Sequence, residues 1–175
     1  MNKELWGQIF GIVAMLIIAS SYQANTKKRL LMVQTPGIVV LCLSYFLLGA
    51  AAGFALNIVC ILRNIACYFV KEKTKLYYAM TVVLMIVMGV MGVLSWEGYV
   101  SLLMIVALVA NTFFIALGKP QILRYSIIVT STLCLLYNVF IPIPSLGGIL
   151  LESFSVASSI IGSIRFLVAK KKQTA

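Results

Sequence analysis

A single carboxylate, Glu152, stands inside the apolar run LGGILLESFSVASSIIGSI. A charge within such a run costs about 3 kcal/mol if it faces lipid, so it turns towards a packed polar interior or a watery cavity. The group can exchange a proton, accept hydrogen bonds or balance a cation. At about 100° per residue, Gly148, Glu152, Ser155, Ser159 and Ser163 share one narrow helical face. An earlier stripe has the same spacing: Gly53, Asn57, Cys60, Asn64 and Tyr68. The two correspond position for position, Asn57 with Glu152, Cys60 with Ser155 and Asn64 with Ser159. Small residues of this kind let helices approach, and Ser or Asn bonds across the contact. That packing role accounts for the serines and for the GxxxG spacing of Gly49 and Gly53. A solute pocket lined by Asn57, Asn64, Glu152, Ser155 and Ser159 is the other reading, and it is the better account of Glu152.

Arg63 is deep enough in its run to act as a charge pair or gate for Glu152, or else to snorkel to the nearer membrane face. Arg165 is thirteen residues beyond Glu152, about 20 Å along one helix, and cannot be its partner. Asn111, beside Thr112, and Asn138 are further candidate pocket donors, although buried amides also bridge helices. Pro120 and Gln121, in the sequence GKPQ, form a candidate hinge, because proline removes a backbone donor and interrupts the preceding helix.

Other chemistries are poorly supplied. The chain has no His and no Asp, and its four cysteines, Cys42, Cys60, Cys67 and Cys134, all lie in apolar runs without metal-ligand spacing. No metal site, cofactor or disulfide framework is expected. Without a nucleophile and base at helical spacing, neither is an enzyme. The net charge of +10 comes from short basic clusters flanking apolar runs, which argues against nucleic acid.

Something must hold these groups in place, and the composition names it. Of 175 residues, 62% are hydrophobic and only 10% charged, far from the balance of a soluble domain. Windows of about 20 apolar residues put seven spans near 5–22, 31–49, 51–70, 77–95, 99–117, 122–141 and 146–168. Every Lys and Arg except Lys3 falls towards one side of the membrane, at the ends of spans 1, 3, 5 and 7: Lys27, Lys28 and Arg29; Arg63, Lys71, Lys73 and Lys75; Lys119 and Arg124; Arg165 and Lys170 to Lys172. Because cytoplasmic loops carry the basic excess, the N-terminus is expected outside and the C-terminus in the cytoplasm. The first run resembles a signal peptide, but it lacks a clean small-x-small site and meets a basic cluster at once. Trp6, Trp96 and Tyr99 suit the membrane interface. Span 4, with Met80, Met85, Met88 and Met91 and no charge in its middle, reads as a lipid-facing connector.

The chain also repeats itself. SSYQ at Ser20 to Gln23 returns as GKPQ, LCLSYF from Leu41 returns as LCLLYN from Leu133, and Gly53 with Asn57 returns as Gly148 with Glu152. Three matches in one order point to two three-helix units, residues 1–75 and 98–175, joined by a linker helix in 76–97. One unit plus the linker makes four crossings, so the repeats are parallel. The expected fold is all-α, with seven transmembrane helices in a 3+1+3 arrangement.

The segments FLLGAAAGFALNIVCILRN from Phe46 and YNVFIPIPSLGGILLESFSVASSIIGSIRF from Tyr137 resemble the YgjV-type bacterial inner-membrane proteins, and the similarity runs over nearly the whole chain. The order of spans, with Pro120 and Gln121 closing the first helix of a unit, resembles the PQ-loop and SWEET transporter superfamily. This resemblance implies alternating access around a small solute bound in mid-membrane, with Asn57 matching a pocket asparagine and Glu152 replacing its counterpart. The carboxylate implies proton coupling or a cationic or hydrogen-bonding ligand in place of plain sugar transport. The expected partners are the lipid bilayer and a small solute, with a proton as coupling ion. A homo-oligomer is compatible with the sequence. The superfamily also contains receptors, so a non-transporting receptor or accessory subunit is the alternative.

Overall fold

The computed structural model describes residues 3–21, 27–72, 74–117 and 120–174, and side chains for all of these except 27, 28, 30, 120, 121, 123, 124 and 165–174. These residues form seven helices: α1 Lys3–Ser21, α2 Lys27–Leu48, α3 Ala51–Phe69, α4 Lys75–Leu94, α5 Tyr99–Leu117, α6 Pro120–Phe140 and α7 Leu146–Thr174. Six of them are long and apolar enough to cross a membrane, while the described apolar part of α6 is the shorter Tyr125–Phe140. At 1.5 Å per residue the 21 residues of α6 still extend about 31 Å, and α6 packs against both α5 and α7.

The distribution of side chains is the reverse of a water-soluble bundle. Large apolar residues such as Leu16, Met32, Phe46, Phe69, Ile86, Val129 and Phe140 point outwards, whereas Ser44, Asn57, Arg63, Asn64, Thr112, Ser131, Asn138 and Ser155 are buried. A soluble monomer does not expose a continuous apolar surface of this size. Hydrocarbon accepts it, and in hydrocarbon the polar groups must find partners within the bundle.

The helices close into a ring. Contacts run α1 to α2, α2 to α3, α3 to α5, α5 to α6, α6 to α7 and α7 back to α1, with α4 outside, covering the seam where α3 meets α5. Exchanging α1, α2 and α3 for α5, α6 and α7 maps the α1–α7 contact onto the α5–α3 contact. On α4 the residues Tyr77, Thr81, Leu84, Met88 and Gly92 are buried. Span 4 faces outwards as expected along Val82, Val83, Ile86, Val90 and Val93, while its other face packs on α3 and α5.

The short connections explain the ring's regularity. Helix α2 stops at Gly49, whose φ of +73° is left-handed and suits glycine at a helix C-terminus, and α3 begins two residues later. The Gly49–Gly53 spacing is consequently no helix-packing ridge, since Gly49 lies in the turn while Gly53 is in the first turn of α3. Ser145 caps α7 by accepting from the Gly148 N–H at 3.2 Å, and Thr74 caps α4 by accepting from the Tyr77 N–H at 3.1 Å. Pro120 is the first residue of α6, where a missing N–H costs nothing. Tyr22, Gln23, Gly118 and Lys119, and the side chains of Pro120, Gln121 and Arg165, lie outside the described residues.

Candidate functional site

One end of the ring, where the α2–α3, α4–α5 and α6–α7 connections gather, is tied across its middle. Tyr45 on α2 and Tyr137 on α6 are buried and meet edge-on, with centroids 6.4 Å apart at 66°. The Tyr45 hydroxyl donates to Asn138 Oδ1 at 2.8 Å, and the Tyr137 hydroxyl accepts from the Gly53 N–H at 2.8 Å. That N–H is in the first turn of α3, where no carbonyl of the same helix can receive it. Asn138 donates to the Cys134 carbonyl at 2.8 Å and lies so close to Gly148 that a β-carbon there would collide with its amide. The four helices α2, α3, α6 and α7 thus meet at a clasp of two tyrosines, one amide and two glycines.

Around the clasp, each side of the ring ties down the other's third helix. The Gln8 amide on α1 donates to the Pro144 carbonyl at 2.7 Å, and its Oε1 accepts from the Leu146 N–H at 2.9 Å. Glu97, before α5, accepts from the Ala52 N–H at 3.1 Å, a carboxylate at a helix N-terminus where the dipole favours it. The α1–α7 seam is drawn together by Gly11 and Gly147, where a β-carbon on Gly147 would run into the Gly11 backbone.

Glu152 lies beneath this layer. It begins the second turn of α7, is half-buried and lies near the Ser131 hydroxyl of α6. Tyr45, Cys60 and Cys134 are all within electrostatic reach of it. Cys60 is on α3, across the ring from α7, so the carboxyl faces the interior. Asn57, one turn from Cys60, is buried and donates to its own Gly53 carbonyl at 2.8 Å. Ser155 is buried and bonds back to the Leu151 carbonyl at 2.9 Å, a local partner common for serine in a helix.

The remaining expected site residues are dispersed. Asn138 belongs to the clasp, and Asn111 on α5 is half-buried, beside Thr112, which Arg63 reaches. Arg63 is buried; its guanidinium donates to Thr112 Oγ1 at 3.2 Å and to Asn64 Oδ1 at 3.4 Å. Thr112 in turn donates to the Leu108 carbonyl at 2.8 Å. The bonds of Arg63 therefore tie α3 to α5 and do not run to Glu152. Asn64 is buried, with its Nδ2 unpartnered, and lines a cavity between α2 and α3. Ser159 is buried on α7, two turns from Glu152.

Several residues here escaped the sequence reading. Ser131, with Ser126 and Thr130, makes α6 polar on its inner side, a helix judged above only by its tyrosine and asparagine. Tyr45 and Tyr137 served as markers of a repeat, although their recurrence was also the signal of the clasp.

The family described as a bacterial inner membrane protein, Imp-YgjV, matches residues 5–170. The chain belongs to this family. Together with the apolar helices, membership makes it a multi-pass protein of the bacterial inner membrane. No curated protein and no solved structure matches it.

Proposed function

We propose that this member of the YgjV family is a transporter that moves a small polar solute by alternating access, with Glu152 as the carboxyl group that binds the solute and exchanges a proton. The observation that carries this reading is the position of Glu152: a half-buried acid facing the interior of the ring, beneath a closed clasp and beside Ser131, Ser155 and Cys60. The units are α1 to α3 and α5 to α7, parallel repeats with α4 as linker, in the 3+1+3 manner of the PQ-loop and SWEET superfamily. Supporting this are the matched contacts of α1 with α7 and of α3 with α5, and the meeting of the sequence-related Tyr45 and Tyr137. The basic residues orient the N-terminus outwards, which makes the clasped end the external one and the conformation closed to the outside. Asn57 and Ser155 line the same level as Glu152. Asn111, Asn138 and Arg63 serve the scaffold, and Pro120 with Gln121 opens α6 at the cytoplasmic face as the hinge. No catalysis is assigned to the chain.

The test is uptake into proteoliposomes of a panel of sugars, amino acids and amines at several pH values. At least one solute is expected to enter faster than into protein-free vesicles, with a pH dependence that Glu152→Gln removes. If Glu152→Gln leaves uptake and its pH dependence as they are, proton exchange at Glu152 is wrong. If no solute enters but one raises the melting temperature, the non-transporting receptor takes the place of the transporter.

A further inference from the structure

The cavity between α2 and α3 lies away from Glu152 and has a chemistry of its own. It encloses about 200 Å³ and is lined by Leu31, Met32, Thr35, Asn64, Tyr68 and Phe69 among others. Its outer rim is open to the apolar surface: Met32 is 59% exposed and Phe69 78%. Its inner wall carries one conspicuous polar feature. Asn64 is 2% exposed, its Oδ1 is taken by Arg63, and its Nδ2 has no partner. An amide donor left unpaired in a dry interior is costly, and it calls for an acceptor brought in from outside the chain.

The cavity's depth and charge narrow what that acceptor is. It opens near the basic end, between the start of α2, where Lys27, Lys28 and Arg29 follow one another, and the end of α3, which Lys71 follows. Arg29 and Lys71 are exposed there, together with one acid, Glu72. Asn64 is seven residues before Lys71, roughly 10 Å along the axis. That is within the combined reach of a lysine side chain and the stretch of a phospholipid from phosphate to glycerol ester. Basic residues flanking a crevice between transmembrane helices recognise anionic headgroups.

We infer that this crevice is a binding site for one anionic phospholipid: an acyl chain lies along Met32, Ile65 and Phe69, a glycerol ester carbonyl accepts from Asn64 Nδ2, and the phosphate rests between the ends of α2 and α3 beside Arg29 and Lys71. The crevice involves neither Glu152 nor transport, so the site stands or falls apart from the function proposed above.

The experiment uses the full chain purified in mild detergent, with phosphatidylglycerol and phosphatidylethanolamine as competing probes, and reads bound lipid by native mass spectrometry. Phosphatidylglycerol is expected to be retained preferentially, by about fivefold for each basic side chain engaged. Lys71→Gln should lower the preference by about that factor. Met32→Trp fills the crevice from its exposed rim, leaves the buried core and every charge in place, and should abolish retention. Asn64→Leu should do the same. Equal retention of the two lipids overturns the proposal, and so does retention by Met32→Trp at the level of the unaltered chain. A rise in melting temperature for Asn64→Leu with lipid retention unchanged would also overturn it, since the cavity would then hold only water.

Discussion

Removing one hydroxyl from the clasp should loosen the end of the ring that it ties. In Tyr45→Phe the ring stays to pack against Tyr137, but Asn138 Oδ1 loses its donor at 2.8 Å. Asn138 is fully buried, so water cannot replace the lost bond in the closed state. In soluble proteins an orphaned acceptor costs about 1–3 kcal/mol. Interhelical bonds within membranes average about 0.6 kcal/mol, with a maximum of about 1.7. The lower scale governs here, because the separated helices also find partners, and about 1 kcal/mol is expected. That is a factor of about five in the population of opened molecules and a fall of about 2–4 °C in melting temperature for a chain of this length. The chain carries its own reporters. Cys134 is one turn from Asn138, and Cys60 is beyond Gly53 on α3; both are free and buried. In a Cys67→Ser background, a membrane-impermeant thiol reagent should label Cys60 and Cys134 about five times faster in Tyr45→Phe than in the parent, since labelling follows the opened population when closing is fast. Unchanged labelling with a lowered melting temperature would show that the bond stabilises the helices without holding this end shut. Unchanged values of both would refute the clasp.

Two further substitutions probe the two seams of the ring. Gly147→Ala directs a methyl group at the Gly11 backbone, which cannot rotate aside as a side chain would; the overpacking should cost about 1–3 kcal/mol and lower the melting temperature by several degrees. Gly89→Ala, with open space around it, is the control and should be neutral or stabilising; equal stability of the two variants would disprove the close contact. Arg63→Met keeps most of the side chain's length and removes a buried guanidinium whose bonds go to neutral groups. Relief of the charge's desolvation should leave the melting temperature unchanged or raise it, and a fall of several degrees would show that its bonds to Thr112 and Asn64 outweigh that cost.

The helices were legible because a bilayer imposes two strict demands: about 20 apolar residues for each crossing and a closed set of backbone bonds. The expected span 99–117 coincides with α5, and 51–70 with α3 to within one residue. The inward turn of Glu152 was legible for the same reason, since the cost of exposing a carboxylate to lipid leaves it one direction to face. What the polar groups bond to was not legible. Asn57 and Asn138 look alike in sequence as amides in apolar runs, yet Asn57 bonds back to Gly53 while Asn138 receives Tyr45 from another helix. That difference depends on which helix lies opposite, and the helical projection of one span does not contain it. The packed side of α4 was not legible for a related reason: α4 has no charge to mark its inner face, but Thr112 Oγ1 sits 3.3 Å from the Met88 sulfur there.

The two seams of the ring are matched in position and different in construction, and this bears on how any motion between the units would divide. At α1–α7 the backbones of Gly11 and Gly147 are in direct contact and Gln8 grips the connection before α7. Sliding there meets backbone on both sides, so the seam is stiff. At α3–α5 the join runs through long side chains: Arg63 reaches Thr112, and α4 lies over both helices with Met88 against Thr112. Side chains change rotamer where backbones cannot. A rocking of one unit against the other would therefore turn about the glycine seam and widen at the arginine seam.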